Sequence, residues 1–178
     1  VIERIALTGL ARSGKSTAAE YLALRGYRRT RFAAPLKYML VALYQTAGLR
    51  PGEIERRIEG DLKEVPDPVL LGQTPRYAMQ TLGTEWRDLI DRDLWTQLWL
   101  RQVAGRGLMT VEDCRFEHEF NVAKRVGFVV VEIRRDGAGT TSTHASENGT
   151  GHEPDFVIDN NGSLQDLHWA LENIRCRN

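Results

Sequence analysis

The stretch Gly9-Leu-Ala-Arg-Ser-Gly-Lys-Ser16 constrains this chain more than any other. It matches G-x-x-x-x-G-K-S without a mismatch, the pattern of a loop that cradles phosphates between a strand and a helix. Its flanks supply that context. Ile2 to Thr8 is a short apolar-rich run that reads as a buried strand. From Gly14 the pattern turns helical, with Ala18, Ala19, Leu22 and Ala23 on one face and Gly26 as a stop. Glycines at 9 and 14 let the backbone bend, so that N–H groups of the loop (Ala11, Arg12 and Ser13 within it) can face phosphate oxygens. The helix that follows adds the positive end of its dipole. Lys15 can then reach β- and γ-phosphates, Ser16 can ligate Mg²⁺, and Thr17 can touch an α-phosphate. Arg12 reads equally well as a phosphate contact or as a solvated surface residue.

Downstream, strands and helices alternate. Strands are expected at Tyr27 to Phe32, Leu108 to Val111, Phe128 to Ile133 and Phe156 to Ile158. Helices are expected from Pro35 to Gly48, weakly around Ile54, Ile58 and Leu62, from Thr74-Pro75 to about Gly83, after Asp93, from Glu117 to Val126, and after Ser163. This predicts an α/β fold with a mostly parallel five-stranded sheet covered by helices on both faces. The helical stretch 35–105 is too long for a simple crossover and is expected to form a subdomain near the C-terminal edge of the sheet. The stretch 134–153 is rich in Gly, Thr and Ser without periodicity and is expected to be a mobile lid loop. The whole chain is read as one domain.

Lys+Arg and Asp+Glu both number 24, so no global charge draws the chain to nucleic acid, and anion binding has to be local. Cys114 and Cys176 lack metal-site spacing and read as free thiols of a reducing compartment. No stretch reads as a membrane span or a signal peptide, so the cytoplasm is expected. Asp113, at the end of the third strand, is a candidate for holding a metal-bound water, and Glu112 competes because strand alternation points only one of them at the site. Arg134 and Arg135 open the lid stretch, where an arginine can meet the charge that develops during phosphoryl transfer. A nucleotide acceptor would need cations and flat apolar walls. Lys37, Arg76 and Arg87 with Phe32, Tyr77 and Trp86 offer both, and Arg115 and Phe116 follow Asp113 directly. Trp95 and Trp99 read as packing, and Trp86 as either wall or core.

The segments FAAPLK (32–37), TPRYAMQTLGTEWRD (74–88), DLW (93–95), VEDCRFEHEF (111–120), HASE (144–147) and DFVIDNNGSLQDL (155–167) follow the phosphate loop in order. Together they resemble the deoxynucleoside monophosphate kinases found largely in tailed bacteriophages. The resemblance implies a P-loop kinase fold and transfer of the γ-phosphate of ATP, with Mg²⁺, to a deoxynucleoside monophosphate. It implies acceptor binding by residues matching Lys37, Gln80, Trp86, Arg87, Asp113 and Arg115, and a lid matching Arg134 and Arg135. It also implies that the turn Asp159 to Gly162 lies by the adenine through backbone groups, with Asn160 or Asn161 as a further candidate, although Asn-Gly before a helix is equally good turn chemistry. The lid here is poor in arginine, and Trp86-Arg87 lacks the glycine that many relatives place between them. His144 reads as lid structure, since a phosphate acceptor needs no strong base. The C-terminal turn is also similar to that of dephospho-coenzyme A kinases, against which the LGTEWR block argues. A nucleotide-binding module without an acceptor is the rival from another class. The expected partners are small nucleotides, with no membrane and no nucleic acid, and a homodimer is left open.

Overall fold

The computed structural model describes residues 1–105, 107–139 and 153–177. The elements run β1 (Arg4–Thr8), α1 (Lys15–Leu24), β2 (Arg28–Thr30), α2 (Ala34–Thr46), α3 (Pro51–Ile58), α4 (Pro75–Leu89), α5 (Leu94–Val103), β3 (Met109–Val111), α6 (Glu117–Arg125), β4 (Val129–Arg134), β5 (Phe156–Asp159) and α7 (Leu164–Arg175). Among the described residues the five strands form one sheet in the order β2-β3-β1-β4-β5. Every pairing is parallel, with Ile5 opposite Thr110 on one side of β1 and opposite Val129 on the other. The expected fold class is therefore observed.

Strand alternation divides the core. Ile5, Leu7, Val131, Ile133 and Ile158 face α1 and α7, meeting Ala18, Leu22, Leu167 and Leu171. Ala6, Val111 and Val130 face the other way and pack with Phe120 and Ala123 of α6 and with Trp99 and Val103 of α5. Both faces of the sheet are thus covered, as a parallel sheet requires. The chain leaves β1 toward β2 on one side and leaves β3 toward β4 on the other. The ends of β1 and β3 consequently flank the point where the strand order reverses, the place where ligands bind in open α/β sheets.

The chain divides into two compact units. The first comprises Val1–Phe32 and the chain from Trp99 onward, and the second is Ala33–Leu98. The second unit builds its own core from Leu40, Tyr44, Ile54 and Ile58, with Met79 and Leu82 of α4 packed on it. A buried carboxylate, Asp67, organises its turn. Asp67 Oδ2 accepts from Arg57 Nε at 2.6 Å and from the Tyr44 hydroxyl at 3.2 Å, and Oδ1 accepts from Val69 N at 2.8 Å. Burial, and then the Asp67 charge, push the Tyr44 phenol well above its usual range, so it stays a donor.

Two helices differ from the sequence expectation. Helix α4 does not stop near Gly83 but runs on to Leu89. Gly83 is a contact residue there: a Cβ would stand 3.3 Å from Leu36 Cδ1, and its carbonyl accepts from Trp95 Nε1 at 2.9 Å. Close packing selects a small residue at that position, and a single glycine costs a helix only about 1 kcal/mol. Helix α3 ends at Ile58, so Leu62 lies outside it. The start of α4 is as expected, with Thr74 Oγ1 accepting from Tyr77 N at 3.1 Å and Pro75 in the first turn.

Candidate active site

The phosphate loop bridges β1 and α1. Gly9 has φ +133° and Gly14 φ +108°, and neither position has room for a side chain. A Cβ at Gly9 would stand 2.3 Å from Ile133 O, and one at Gly14 would stand 2.3 Å from Asn160 Nδ2. Arg12 also adopts a left-handed backbone, at φ 64°. Such alternation of backbone hand turns successive N–H groups toward one side, which makes a concavity for an anion. The first bond into α1 runs from Ala18 N to Gly14 O at 3.0 Å. The N–H groups of residues 15–17 therefore precede the intrahelical ladder, as at any helix start. Ser13 is buried, and its Oγ is one of two buried side-chain polar atoms among the described residues that lack a hydrogen-bond partner. The Ser13 N–H, expected to face phosphate, instead donates to Leu10 O at 3.2 Å, so its hydroxyl is the group left unmet there.

Lys15 is buried, and its Nζ donates to Gly9 O at 2.8 Å and to Leu10 O at 2.5 Å. Its ammonium is held over the loop by the loop's own carbonyls. Ser16, one residue further along α1, is exposed.

Beyond β3 the two candidate carboxylates separate. Glu112 is buried, with both oxygens accepting from Arg29 Nη2, at 2.7 and 2.9 Å, and a further contact from Arg31. Its oxygens are engaged by the guanidinium groups of Arg29 in β2 and of Arg31 just beyond it. Asp113 points elsewhere, accepting from Phe32 N at 2.9 Å through Oδ1. Among the described residues no cluster of three or more His, Cys, Asp or Glu could hold a metal. A hydroxyl and one carboxylate still fit Mg²⁺, which keeps several waters and takes other ligands from substrate phosphates.

Glu119 is a residue that the sequence reading left unassigned. It is buried at the start of α6, where its Oε2 accepts from Arg115 N at 2.8 Å and Phe116 N at 3.1 Å. An acidic residue in the first turn of a helix is the signal that could have found it. Burial, followed by the nearby charge of Asp113, pushes its carboxyl up to about 8, against the pull of the two backbone N–H groups. Its ordinary value is 4.5, so between these two values the folded chain holds a proton that the unfolded chain lacks. The contribution of Glu119 to stability therefore falls as pH rises through that window and is least favourable above it. Glu119→Gln is expected to raise the thermal midpoint progressively more as pH goes from about 5 to about 9, measured by calorimetry. A difference independent of pH would contradict this. Cys114, buried alongside, is likewise held as a thiol by burial.

The other predicted residues fall into two groups. In the second unit, Arg76, Gln80 and Arg87 share one face of α4 by their spacing of four and seven, with Gly83 between them. Leu36 of α2 packs on Gly83. Lys37 pairs with Glu59 at 2.5 Å, and Arg76 pairs with Glu64. Trp86 is 40% exposed and stacks on buried Trp95 with centroids 6.4 Å apart, so it retains an open ring surface. In the first unit, Phe32 corrects the expectation of an acceptor wall. Its ring is 2% exposed and lies 4.3 Å from Trp99, which makes it core. Phe116 is half-buried and stacks on His118 at 5.6 Å.

At the end of β4, Arg134 pairs with Glu132 at 2.7 Å, and the exposed Arg135 begins a turn closed by Ala138 N donating to its carbonyl at 3.1 Å. Arg134 ends the strand rather than opening the loop. His144 and residues 140–152 of the expected lid lie outside the described residues. Asn160 and Asn161, the side chains of the turn expected near the adenine, are both engaged by backbone groups. The Asn160 amide donates to Ser13 O at 2.8 Å, and Asn161 Oδ1 accepts from Asp136 N at 2.8 Å, so both side chains brace backbone.

Comparison with known proteins points one way. A family model described as deoxynucleotide monophosphate kinase matches residues 73–171. A protein of Acanthamoeba polyphaga mimivirus named for the same activity is 31% identical over 186 residues, covering 94% of this chain and 93% of that one. The deoxynucleotide monophosphate kinase of Enterobacteria phage T4 is 34% identical over 108 residues, covering 55% of this chain and 44% of the phage protein. Its counterpart from Escherichia phage RB69 is 34% identical over 106 residues, covering 56% and 43%. The matched stretch thus spans under half the length of either phage protein. A crystal structure of a Thermus thermophilus protein shares the fold with a TM-score of 0.50 at 17% identity, covering 96% of this chain and 94% of that one. By its phosphate loop, its parallel sheet and a relative that matches it nearly end to end, this chain belongs to the deoxynucleotide monophosphate kinase family.

Proposed function

We infer that this chain transfers the γ-phosphoryl group of ATP to a deoxynucleoside monophosphate, giving ADP and the diphosphate. The observation that carries the reading is the phosphate loop itself. Two crowded positive-φ glycines, an unmet buried Ser13 hydroxyl and the Lys15 ammonium converge at the start of α1. An acceptor phosphate oxygen attacks the γ-phosphorus, and the bond to the oxygen bridging β and γ breaks. Little covalent chemistry is asked of the protein, so positioning and charge stabilisation carry the rate. Lys15 exchanges loop carbonyls for β- and γ-phosphate oxygens. Ser16 and Asp113, the latter through water, would hold Mg²⁺, which when bound would supply positive charge against the charge developing on the phosphates. Arg134 and Arg135 are assigned to the transferring group. Lys37, Gln80, Trp86 and Arg87 in the second unit, and Arg115 in the first, are assigned to the acceptor nucleotide. The reading gives Arg76 a supporting charge on the same α4 face and places the reaction in the cytoplasm. Among the described residues no helix is long and apolar enough to cross a membrane.

A panel of acceptors in a coupled ADP-release assay tests this. Turnover is expected with MgATP and at least one deoxynucleoside monophosphate. Turnover with dephospho-coenzyme A and with no deoxynucleotide would overturn the assignment, as would hydrolysis at a rate indifferent to any acceptor.

A further inference from the structure

Two carbonyls of the phosphate loop are gripped from outside. Ser13 O accepts from Asn160 Nδ2 at 2.8 Å, and Ala11 O accepts from Gly139 N at 2.8 Å. Asn160 is itself fixed, its own N–H donating to Arg134 O at 2.7 Å as β5 continues past β4. The amide lies so close beneath the loop that a Cβ at Gly14 would stand 2.3 Å from Nδ2, so a side chain at 14 would displace the Asn160 amide from this position. In a trans peptide the C=O and the following N–H point in opposite directions. Drawing Ser13 O toward Asn160 therefore turns Gly14 N–H to the opposite side of the loop. The same reasoning applies to Ala11 O and Arg12 N–H.

We propose that Asn160 is a positioning residue of the donor site, which orients the Gly14 N–H toward polyphosphate by holding the Ser13 carbonyl, and that it does not read the adenine. This rests on the phosphate loop holding a triphosphate, but not on the identity of the acceptor. The brace also joins the loop to the carbonyl of Arg134, so the donor loop and the root of the arginine turn share one support.

Calorimetric titration of the full chain with MgATP and with magnesium tripolyphosphate, which has no base, separates the two roles. Asn160→Ala and the near-isosteric Asn160→Leu are expected to weaken both ligands by the same factor, about tenfold, the worth of one hydrogen bond. Their thermal midpoints without ligand are expected to stay within a few degrees of wild type. The KM for the monophosphate is expected to stay constant while kcat falls. Weakening of MgATP alone would overturn the proposal in favour of a base contact, and unchanged affinity for both would overturn it outright. Collapse of both variants would overturn it by making Asn160 a residue of the fold. A wild-type chain that binds tripolyphosphate but phosphorylates no monophosphate would sink the kinase reading and leave the brace standing.

Discussion

Replacing Lys15 by alanine is expected to lower kcat by roughly 10²- to 10³-fold, with a thermal midpoint close to that of wild type. The size follows from where the charge sits. Lys15 is buried at the head of α1, where an ammonium meets little competition from water and acts strongly on charge that develops as the γ-phosphoryl group leaves. Its contacts to Gly9 O and Leu10 O are local, and both carbonyls lie at a loop that water can reach in the variant. Steady-state kinetics at saturating MgATP and monophosphate read the effect on kcat directly. An undiminished kcat would remove Lys15 from the chemistry, and a rise confined to the KM for ATP would reduce it to a ground-state anchor.

Replacing Trp99 by alanine is expected to cost about 3–5 kcal/mol of stability, a large share of what a domain of this kind possesses. Trp99 is 0% exposed and packs against Phe32 at 4.3 Å and Phe128 at 5.2 Å. Its Nε1 donates to Thr30 Oγ1 at 3.1 Å, and that hydroxyl passes the chain on to Thr110 O at 3.0 Å. The cavity left behind would be bounded by β2 and β3, whose strand geometry resists collapse. A fall in thermal midpoint on the order of 10 °C is expected for a chain of this length. Trp99→Phe, which keeps a ring, should lose much less. The effect reaches the site because Phe32, packed on Trp99, donates its N–H to Asp113 Oδ1. If Trp99→Ala melts with wild type, the core assignment of this ring is wrong.

Sequence and structure divide the protein along a physical line. The phosphate loop was legible because its chemistry is carried by eight consecutive residues between a strand and a helix, and local periodicity is enough to place both. The parallel sheet was legible for a similar reason, since apolar runs such as Phe128 to Ile133 alternate with helical patterns. Caps such as Thr74-Pro75 depend on neighbours in the chain and could be read directly. The end of α4 could not. Gly83 looks like a stop until Leu36 and Trp95 are seen to occupy the space beside it.

Choices made by residues far apart in the chain were decided only by the tertiary structure. Glu112 and Asp113 are adjacent carboxylates that compete for one role in sequence, where Asp113 is the preferred candidate. They part because Arg29 and Arg31 take the first and Phe32 N takes the second. Phe32 became core because the ring of Trp99 meets it. Glu119 emerged as a buried acid because the backbone of Arg115 and Phe116 turns over it. The Asn160 amide is engaged because it reaches a carbonyl 147 residues earlier. The sequence by itself determined that a phosphate is held and which residues lie at the loop, because backbone curvature and a helix start are local properties. Which polar side chains remain for a ligand, and which are already engaged by the protein, was decided by contacts that exist only once the sheet has brought distant segments together.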